Sequence, residues 1–326
     1  MSNNNSNTLK LLVIGSQKIN FYDLFKNVTL KGKFDSIEVD QCAWDDLSIC
    51  SYGADGIVVN IAPSFKPLSN TPQDHARSFQ PNFVLFRGST RGDYSKDWTN
   101  QLIAFVHAGI PSQNSLESFY TSQDKALLYA KLLKVQRKLG KEEFPLIEQT
   151  FYPTYKSAGF LPSFPCVVKV GTASGGLGKM KIVDQTAWQD FISVAAMQST
   201  YFTSEPFIEW DIDIRIQKIG SHYRCFARKS ANWKSNTGMA TEDSDIPVES
   251  RYQKWIDAAA EELDMDICAM DVVRRKSDGK EFILEINPSS IGLNPKYQDE
   301  DAIHIRDLVI KRIEEAYPKE KSKGKK

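Results

Sequence analysis

The polar and apolar positions change their period twice along the chain. From residue 9 to 117, short apolar runs ("LKLLVIG", "FDSIEVDQ", "DGIVVNIA", "NFVLFRG") alternate with stretches of helical spacing, "NFYDLFKNV" and "KDWTNQLIAFVHAG". Strands alternating with helices predict an open α/β domain. Residues 122–140, "SQDKALLYAKLLKVQRKLG", predict a long helix with Ser122 as its cap and Gly140 at its end. Its polar face carries Lys125, Lys131, Lys134, Arg137 and Lys138, which suits either solvent or an anionic partner. The prolines of "AGFLPSFPC" then mark a lobe boundary near residue 160.

From Cys166 to Val273 the dominant period is two. "DIDIRIQKIGSHYRCFARK" sets Ile212, Ile214 and Ile216 against Asp211, Asp213, Arg215 and Gln217 and turns at Gly220, which predicts an antiparallel hairpin with one charged face. One further helix, "SRYQKWIDAAAEELDM", precedes two last strands, and "AIHIRDLVIKRIEEAY" forms the final helix.

Composition narrows the class. With 41% hydrophobic and 25% charged residues, the 326-residue chain reads as a soluble globular protein of two or three lobes. Net charge is zero, so the overall field does not call for nucleic acid. The last ten residues, "YPKEKSKGKK", hold five lysines and one glutamate, which leaves −4 on the rest and predicts a solvated basic tail over 318–326. Five scattered cysteines without a C-x-x-C pair predict reduced thiols and a cytoplasmic protein. Four unclustered histidines argue against a structural zinc site. The polar start "MSNNNSNT" lacks signal-peptide character, and no apolar run approaches the length of a membrane span.

The chemistry begins with "VVKVGTASGGLGKMKIV", residues 167–183. A Walker A loop ending at Gly178–Lys179 would need glycine where Ala173 stands and a hydroxyl residue where Met180 stands. The next segment, "KMKIV", reads as a strand, so the loop joins two strands of a hairpin. Gly175, Gly176 and Gly178 let its backbone amides approach oxygens closely, as in a flap over phosphates, or simply form a flexible tip.

"CAMDVVRRKSDGKEFILEINPSS" is the second constellation. For a hairpin symmetric about Asp278, paired residue numbers sum to 556 and Asp271 falls opposite Glu285. Like charges so placed destabilise a sheet unless a cation lies between them. Asn287 shares the face of Glu285, and this oxygen-donor set suits Mg²⁺ shared with phosphates. A one-residue slip would break the arrangement.

Taken in order, the glycine hairpin, "SEPFIEWDIDIRIQKIG", "NWKSNTG", "DICAMD" and "LEINPSS" resemble the ATP-grasp superfamily. With "HAGIPSQNSLESFY" and "KLGKEEFPLIEQTFYP", the chain from Leu9 to Tyr317 is similar to the central domain of the synapsins. The resemblance implies an ATP-grasp fold with an N-terminal pre-ATP-grasp α/β domain at 9–117 and an ATP-grasp domain at 118–317, its lid lobe at about 160–208. It implies that Lys125 and Lys169 touch phosphates and that Glu205, Phe207 and Ile208 form the hinge that meets adenine. Asp213, Arg215, Lys234 and Asn236 match positions near ribose, phosphates or substrate, with Arg215, Lys234 and Asn236 as the catalytic candidates. Asp271, Glu285 and Asn287 match the metal ligands. Arg228, Lys229, Arg274 and Arg275 stay outside this set. The implied cofactors are ATP and Mg²⁺ or Ca²⁺. The implied behaviour is ATP-regulated self-association into a homo-oligomer, and contact with anionic vesicle membranes or the cytoskeleton.

The chain departs from the synapsin pattern at Asn287, where that family carries an apolar residue. "EINPSS" restores the Glu-x-Asn of active ATP-grasp enzymes, which form an acyl phosphate and then pass the acyl group to an amine or thiol. The alternative expectation is therefore an ATP-dependent ligase or phosphotransferase. The N-terminal phosphorylation segment and the proline-rich C-terminal region of synapsins are not seen in this sequence, so their regulation is not expected from it.

Overall fold

Residues 7–15, 18–63, 76–91, 96–172, 175–229, 233–234 and 242–319 are described by a computed structural model. The opening run forms β1 (Thr8–Gly15), which pairs in parallel with β2 (Ser36–Cys42); α1 (Phe21–Phe25) connects them. An antiparallel meander comes next in β3 (Leu47–Ser51), β4 (Ile57–Ile61) and β5 (Arg77–Phe79). The buried strand β6 (Phe83–Arg87) returns to the other side of β1, and β7 (Ser112–Gln113) completes a parallel sheet in the order β2-β1-β6-β7. Strands such as β1 and β6 are near-continuous apolar runs because both faces of this sheet are covered. One face packs on α1, the other on α2 (Thr99–Ala108), the meander and α3 (Leu116–Thr121).

The long basic helix is α4 (Lys125–Leu139). Asp124 caps it, accepting from the amides of Ala126 and Leu127, whereas Ser122 closes α3; Gly140 ends α4 as expected. The lid sheet has the order β10-β9-β11-β8 and is built from β8 (Thr150–Tyr152), β9 (Cys166–Val170), β10 (Lys179–Ile182) and β11 (Phe202–Pro206). Its core is aromatic: Trp188 and Phe191 of α5 (Gln185–Ala195) pack on Tyr152 and Phe202.

The large sheet has the order β14-β13-β12-β15-β16, all antiparallel. Its strands are β12 (Trp210–Ile219), β13 (His222–Lys229), β14 (Glu242–Ile246), β15 (Ile267–Arg275) and β16 (Glu281–Asn287). Ile214, Ile216, Met270, Val272, Ile283 and Ile286 share one core with α4 and α6 (Ser250–Leu263). Alternation then turns Asp213, Arg215, Gln217 and Asp271 to the other face, toward the lid and α7 (Gln298–Ala316). The charged face of the β12–β13 hairpin is thus not a solvent face; Asp213 is only 4% exposed.

Asn114 and Arg87 are among the residues that tie the N-terminal domain to this frame. Asn114 accepts from the amides of Asp266 and Ile267 and donates to the Ile267 carbonyl, pinning the start of β15. Arg87, buried, donates to the carbonyls of Ser289 and Ile291 and so holds the loop after Asn287.

Candidate nucleotide and metal site

The registers set charged residues in rows across the large sheet. One row runs Phe226, Arg215, Asp271, Glu285 over β13, β12, β15 and β16. Asp271 lies opposite Glu285, but not in a symmetric hairpin. Near the turn the pairs are Arg274–Glu281 and Val272–Ile283, one residue out of the expected register. A bulge at Leu284 makes up the difference, and beyond it Asp271–Glu285 and Ala269–Asn287 pair as the sum of 556 requires. Two residues facing one across a bulge restores the face of everything beyond it. Ile283 and Ile286 can therefore both reach the helical core although they differ by an odd number.

The carboxylates are matched by cations. Asp271 Oδ1 receives Arg215 Nη1 at 3.1 Å and Arg228 Nη2 at 3.0 Å, and its Oδ2 accepts from Asn287 Nδ2 at 2.9 Å. Arg228 also donates to Asp213 Oδ1 at 2.7 Å. Lys125 Nζ lies 2.9 Å from Glu285 Oε2, and Lys169 Nζ lies 2.9 Å from Glu205 Oε2. Burial would raise the Glu285 carboxyl, but Lys125, Lys169 and Lys179 overcome it and hold it at about 2. Burial would lower the Lys169 ammonium; Glu205 and Glu285 hold it above the usual lysine range instead.

Lys179 stands directly opposite Lys169 across β9 and β10. Burial, and then Lys169, depress its ammonium below the usual range. Two lysines facing each other destabilise a sheet; a polyanion between them would remove the repulsion. Lys125, Lys169, Lys179, Arg215 and Arg228 together set five positive charges against the four of Glu205, Asp213, Asp271 and Glu285.

Two cavities adjoin this cluster. One is lined by Lys125, Lys169, Thr203, Glu285 and Asn287. The other is lined by Glu205, Phe207, Ile208, Asp213, Trp233 and Leu284, a mixture of flat apolar and polar groups at the hinge between lid and large sheet. Trp233 meets Phe207 edge-on at 5.9 Å, with Lys181 Nζ 3.6 Å from the Phe207 ring centre. The Phe207 amide donates to the Pro165 carbonyl, and the Glu205 carboxylate turns to Lys169. In the flap, Gly175, Gly176 and Gly178 take φ of +56°, +84° and +64°, which a side chain would strain, and the Val170 amide donates to Gly178 O to close the hairpin. Lys234 adjoins Trp233, with Nζ 5.3 Å from its ring centre. Asn236 lies outside the described residues.

Sequence reasoning set Arg228 aside, and the fold brings it into the centre of the cluster. Its signal was present: Asp213 and Arg228 sum to 441, as do all pairs of a hairpin turning at Gly220–Ser221. Lys179, Trp233 and Leu284 were likewise not singled out. Lys229, Arg274 and Arg275 stay out of the cluster, Arg274 pairing with Glu281 and Arg275 with Asp278. On α4, Lys131 and Lys134 pair with Glu262, so the basic face is partly neutralised.

Asp271, Glu285 and Asn287 offer oxygen donors of the hard kind and fit a divalent cation of the Mg²⁺ or Ca²⁺ type. Each carboxylate already holds a cation, so an entering metal would have to release Lys125 from Glu285 or the arginines from Asp271.

This three-part architecture, with a glycine hairpin closing on a charged sheet, is the ATP-grasp fold. D-cycloserine synthetase DcsG superposes at a TM-score of 0.64 with 14% identity, covering 93% of this chain and 99% of that one. D-alanyl-alanine synthetase A from Vibrio cholerae O1 biovar eltor gives 0.62 with 10% identity over 95% and 98%, and D-alanine–D-alanine ligase from Bacillus anthracis, complexed with ATP, 0.57 with 15% over 94% and 99%. Sequence goes further than fold. Residues 4–112 match the synapsin pre-ATP-grasp domain and residues 114–315 the synapsin ATP binding domain. Synapsin of Drosophila melanogaster is 37% identical over 311 residues, 93% of this chain and 30% of that protein. The chain belongs to the synapsin family, and the family match supports ATP binding. It spans less than a third of the length of that fly relative.

Proposed function

We propose that the protein binds ATP together with a divalent cation between lid and large sheet, and that the bound nucleotide sets the state of a synapsin-like module. The observation that carries this is the five-cation, four-carboxylate cluster built around the facing pair Asp271 and Glu285. In this reading Lys125, Lys169, Lys179 and the flap amides meet the phosphates. Adenine lies by Phe207, Ile208 and Trp233, where a base edge would meet Ile208 or displace Phe207 from Pro165. Asp213, Arg215 and Lys234 border the ribose and phosphates, and Asp271, Glu285 and Asn287 hold the cation. ATP draws the cations off the carboxylates and so opens the metal ligands, which makes nucleotide and metal binding mutually dependent.

Self-association and contact with anionic vesicle surfaces or the cytoskeleton, in the cytoplasm, form the wider reading. Family membership supports it; the partly neutralised α4 adds little. Among the described residues no helix is long and apolar enough to cross a membrane, which is compatible with a peripheral role.

A second reading is favoured by Asn287, hydrogen-bonded beside Asp271. A Glu-x-Asn set can support transfer of the ATP γ-phosphoryl group to a carboxylate, giving ADP, with an amine then displacing phosphate. Calorimetric titration of ATP into the protein with EDTA, Mg²⁺ or Ca²⁺, alongside ADP assays with small-molecule cell extract, tests both. Cation-dependent ATP binding that Asp271→Asn abolishes, without turnover, supports the module. Extract-stimulated ADP that Asp271→Asn abolishes makes it a ligase. No ATP binding under any cation would sink both.

A further inference from the structure

The four histidines show no clustering in sequence, yet the fold brings two together. His222 opens β13 beside the β12–β13 turn, and His304 lies on α7 one helical turn after Glu300. We propose that His222, Glu300 and His304 form a second metal site, separate from the nucleotide cleft and suited to a divalent transition ion such as zinc.

One ligand atom from each of the three residues lies within 4.8 Å of the others. His304 Nε2 is 3.7 Å from Glu300 Oε1, and the two imidazole rings stack at 3.9 Å between centroids with an 18° tilt. His222 Nε2 is shielded from solvent and has no hydrogen-bond partner among the described residues; Asp301 Oδ1, at 3.7 Å, is too far. A buried imidazole nitrogen left unbonded is costly, and a metal ion is one of the few partners that satisfies it. Arg224 Nη2 holds Glu300 Oε2 at 2.7 Å, which orients the carboxylate and leaves Oε1 toward His304. This is the outer-shell support that metal carboxylates receive. For both Nε2 atoms to point at one ion the stacked rings must open, and His304, about a third exposed on the helix surface, has room to turn.

Two imidazoles and one carboxylate select zinc or its transition-metal neighbours over Mg²⁺ and Ca²⁺, which want oxygen alone. The nucleotide cleft offers the opposite set, so the two sites take different ions. Bound metal would join α7 to the β12–β13 turn, the same hairpin whose far end carries Asp213 and Arg228.

The test uses the full chain without ATP, equilibrated with Zn²⁺ and then with Co²⁺. We expect a single ion per chain and intense tetrahedral-type Co²⁺ absorption bands. Zinc about a hundredfold above its Kd should raise Tm by roughly 4 °C. His304→Ala should weaken binding by more than the roughly 10–100-fold cost of losing an outer-shell partner. His304→Gln and His222→Asn should likewise remove the bands. Asp271→Asn should leave them unchanged. Absence of stoichiometric zinc, bands that survive both histidine changes, or bands lost in Asp271→Asn would each overturn the proposal, the last by assigning the metal to the nucleotide cleft.

Discussion

Lys169 and Glu205 form the most deeply buried ion pair of the cleft, with side chains 10% and 4% exposed and charged atoms 2.9 Å apart. Lys169→Met removes the cation and leaves the Glu205 carboxylate in a desolvated position. At an effective dielectric of 20, the lost attraction at this distance is about 6 kcal/mol. Part is offset because the repulsion between Lys169 and Lys179 disappears, worth about 0.2–1 kcal/mol. Protonation and local relaxation reduce the loss further, so we expect destabilisation of about 3–5 kcal/mol, as for other broken buried pairs. Lys169→Met/Glu205→Leu removes both charges and should recover most of that loss, because apolar replacement of a buried pair is close to neutral. ATP affinity should not recover. A lost charge-assisted hydrogen bond to phosphate costs about 1.5–3 kcal/mol, or roughly 10–150-fold in Kd, in the single and the double variant alike. Urea denaturation followed by tryptophan fluorescence, to which Trp188 of the lid core contributes, measures the first quantity; titration with a fluorescent ATP analogue measures the second. A cost below about 1 kcal/mol for Lys169→Met would show that the pair is not desolvated. Wild-type ATP affinity in the double variant would remove Lys169 from the phosphate site.

The same cluster carries three further expected outcomes. Lys179→Met should stabilise the protein by up to about 1 kcal/mol in the absence of ATP while weakening ATP binding at least about tenfold, so unchanged affinity would refute a phosphate role for it. Arg228→Met removes one counter-ion from each of the buried carboxylates Asp213 and Asp271 and should cost about 3 kcal/mol in urea denaturation; a loss within about 0.5 kcal/mol would contradict the buried cluster. Glu285 titrates at about 2 in the folded chain against an ordinary 4.5, so it adds stability above about pH 4.5 that disappears as pH falls through 2. Lys125→Met should move the Glu285 titration upward, read by carboxyl carbon NMR, and make acid unfolding begin at higher pH; an unmoved midpoint would mean that Lys125 does not set it.

Much of the frame was legible in the chain. Apolar runs and helical periods located the α/β domain, the glycine hairpin and the two late hairpins, because burial selects side chains by periodicity and periodicity is a local property. The facing of Asp271 and Glu285 was also readable, although by a simpler hairpin than the real one. The turn end is slipped by one residue, and the bulge at Leu284 returns the strand to register. The bulge leaves no compositional mark, since "EFILEIN" carries neither glycine nor proline.

Other features depend on distance across the fold. Arg228 is one basic residue among several on its strand until hairpin pairing sets it against Asp213 and Asp271. Lys125 is one of five basic residues on a helix, and only the packing of α4 against the large sheet brings its ammonium to Glu285, 160 residues later. Nor does alternation say what meets the charged face of β12, which the lid and α7 cover. His222 and His304, 82 positions apart, stack only because α7 lies across the β12–β13 hairpin. The sequence by itself therefore determined which residues alternate, which loops bend and which family the chain resembles, all properties of neighbouring positions. Tertiary structure alone decided which charges neutralise one another, because Coulomb energy and desolvation depend on separations in space that no local pattern encodes.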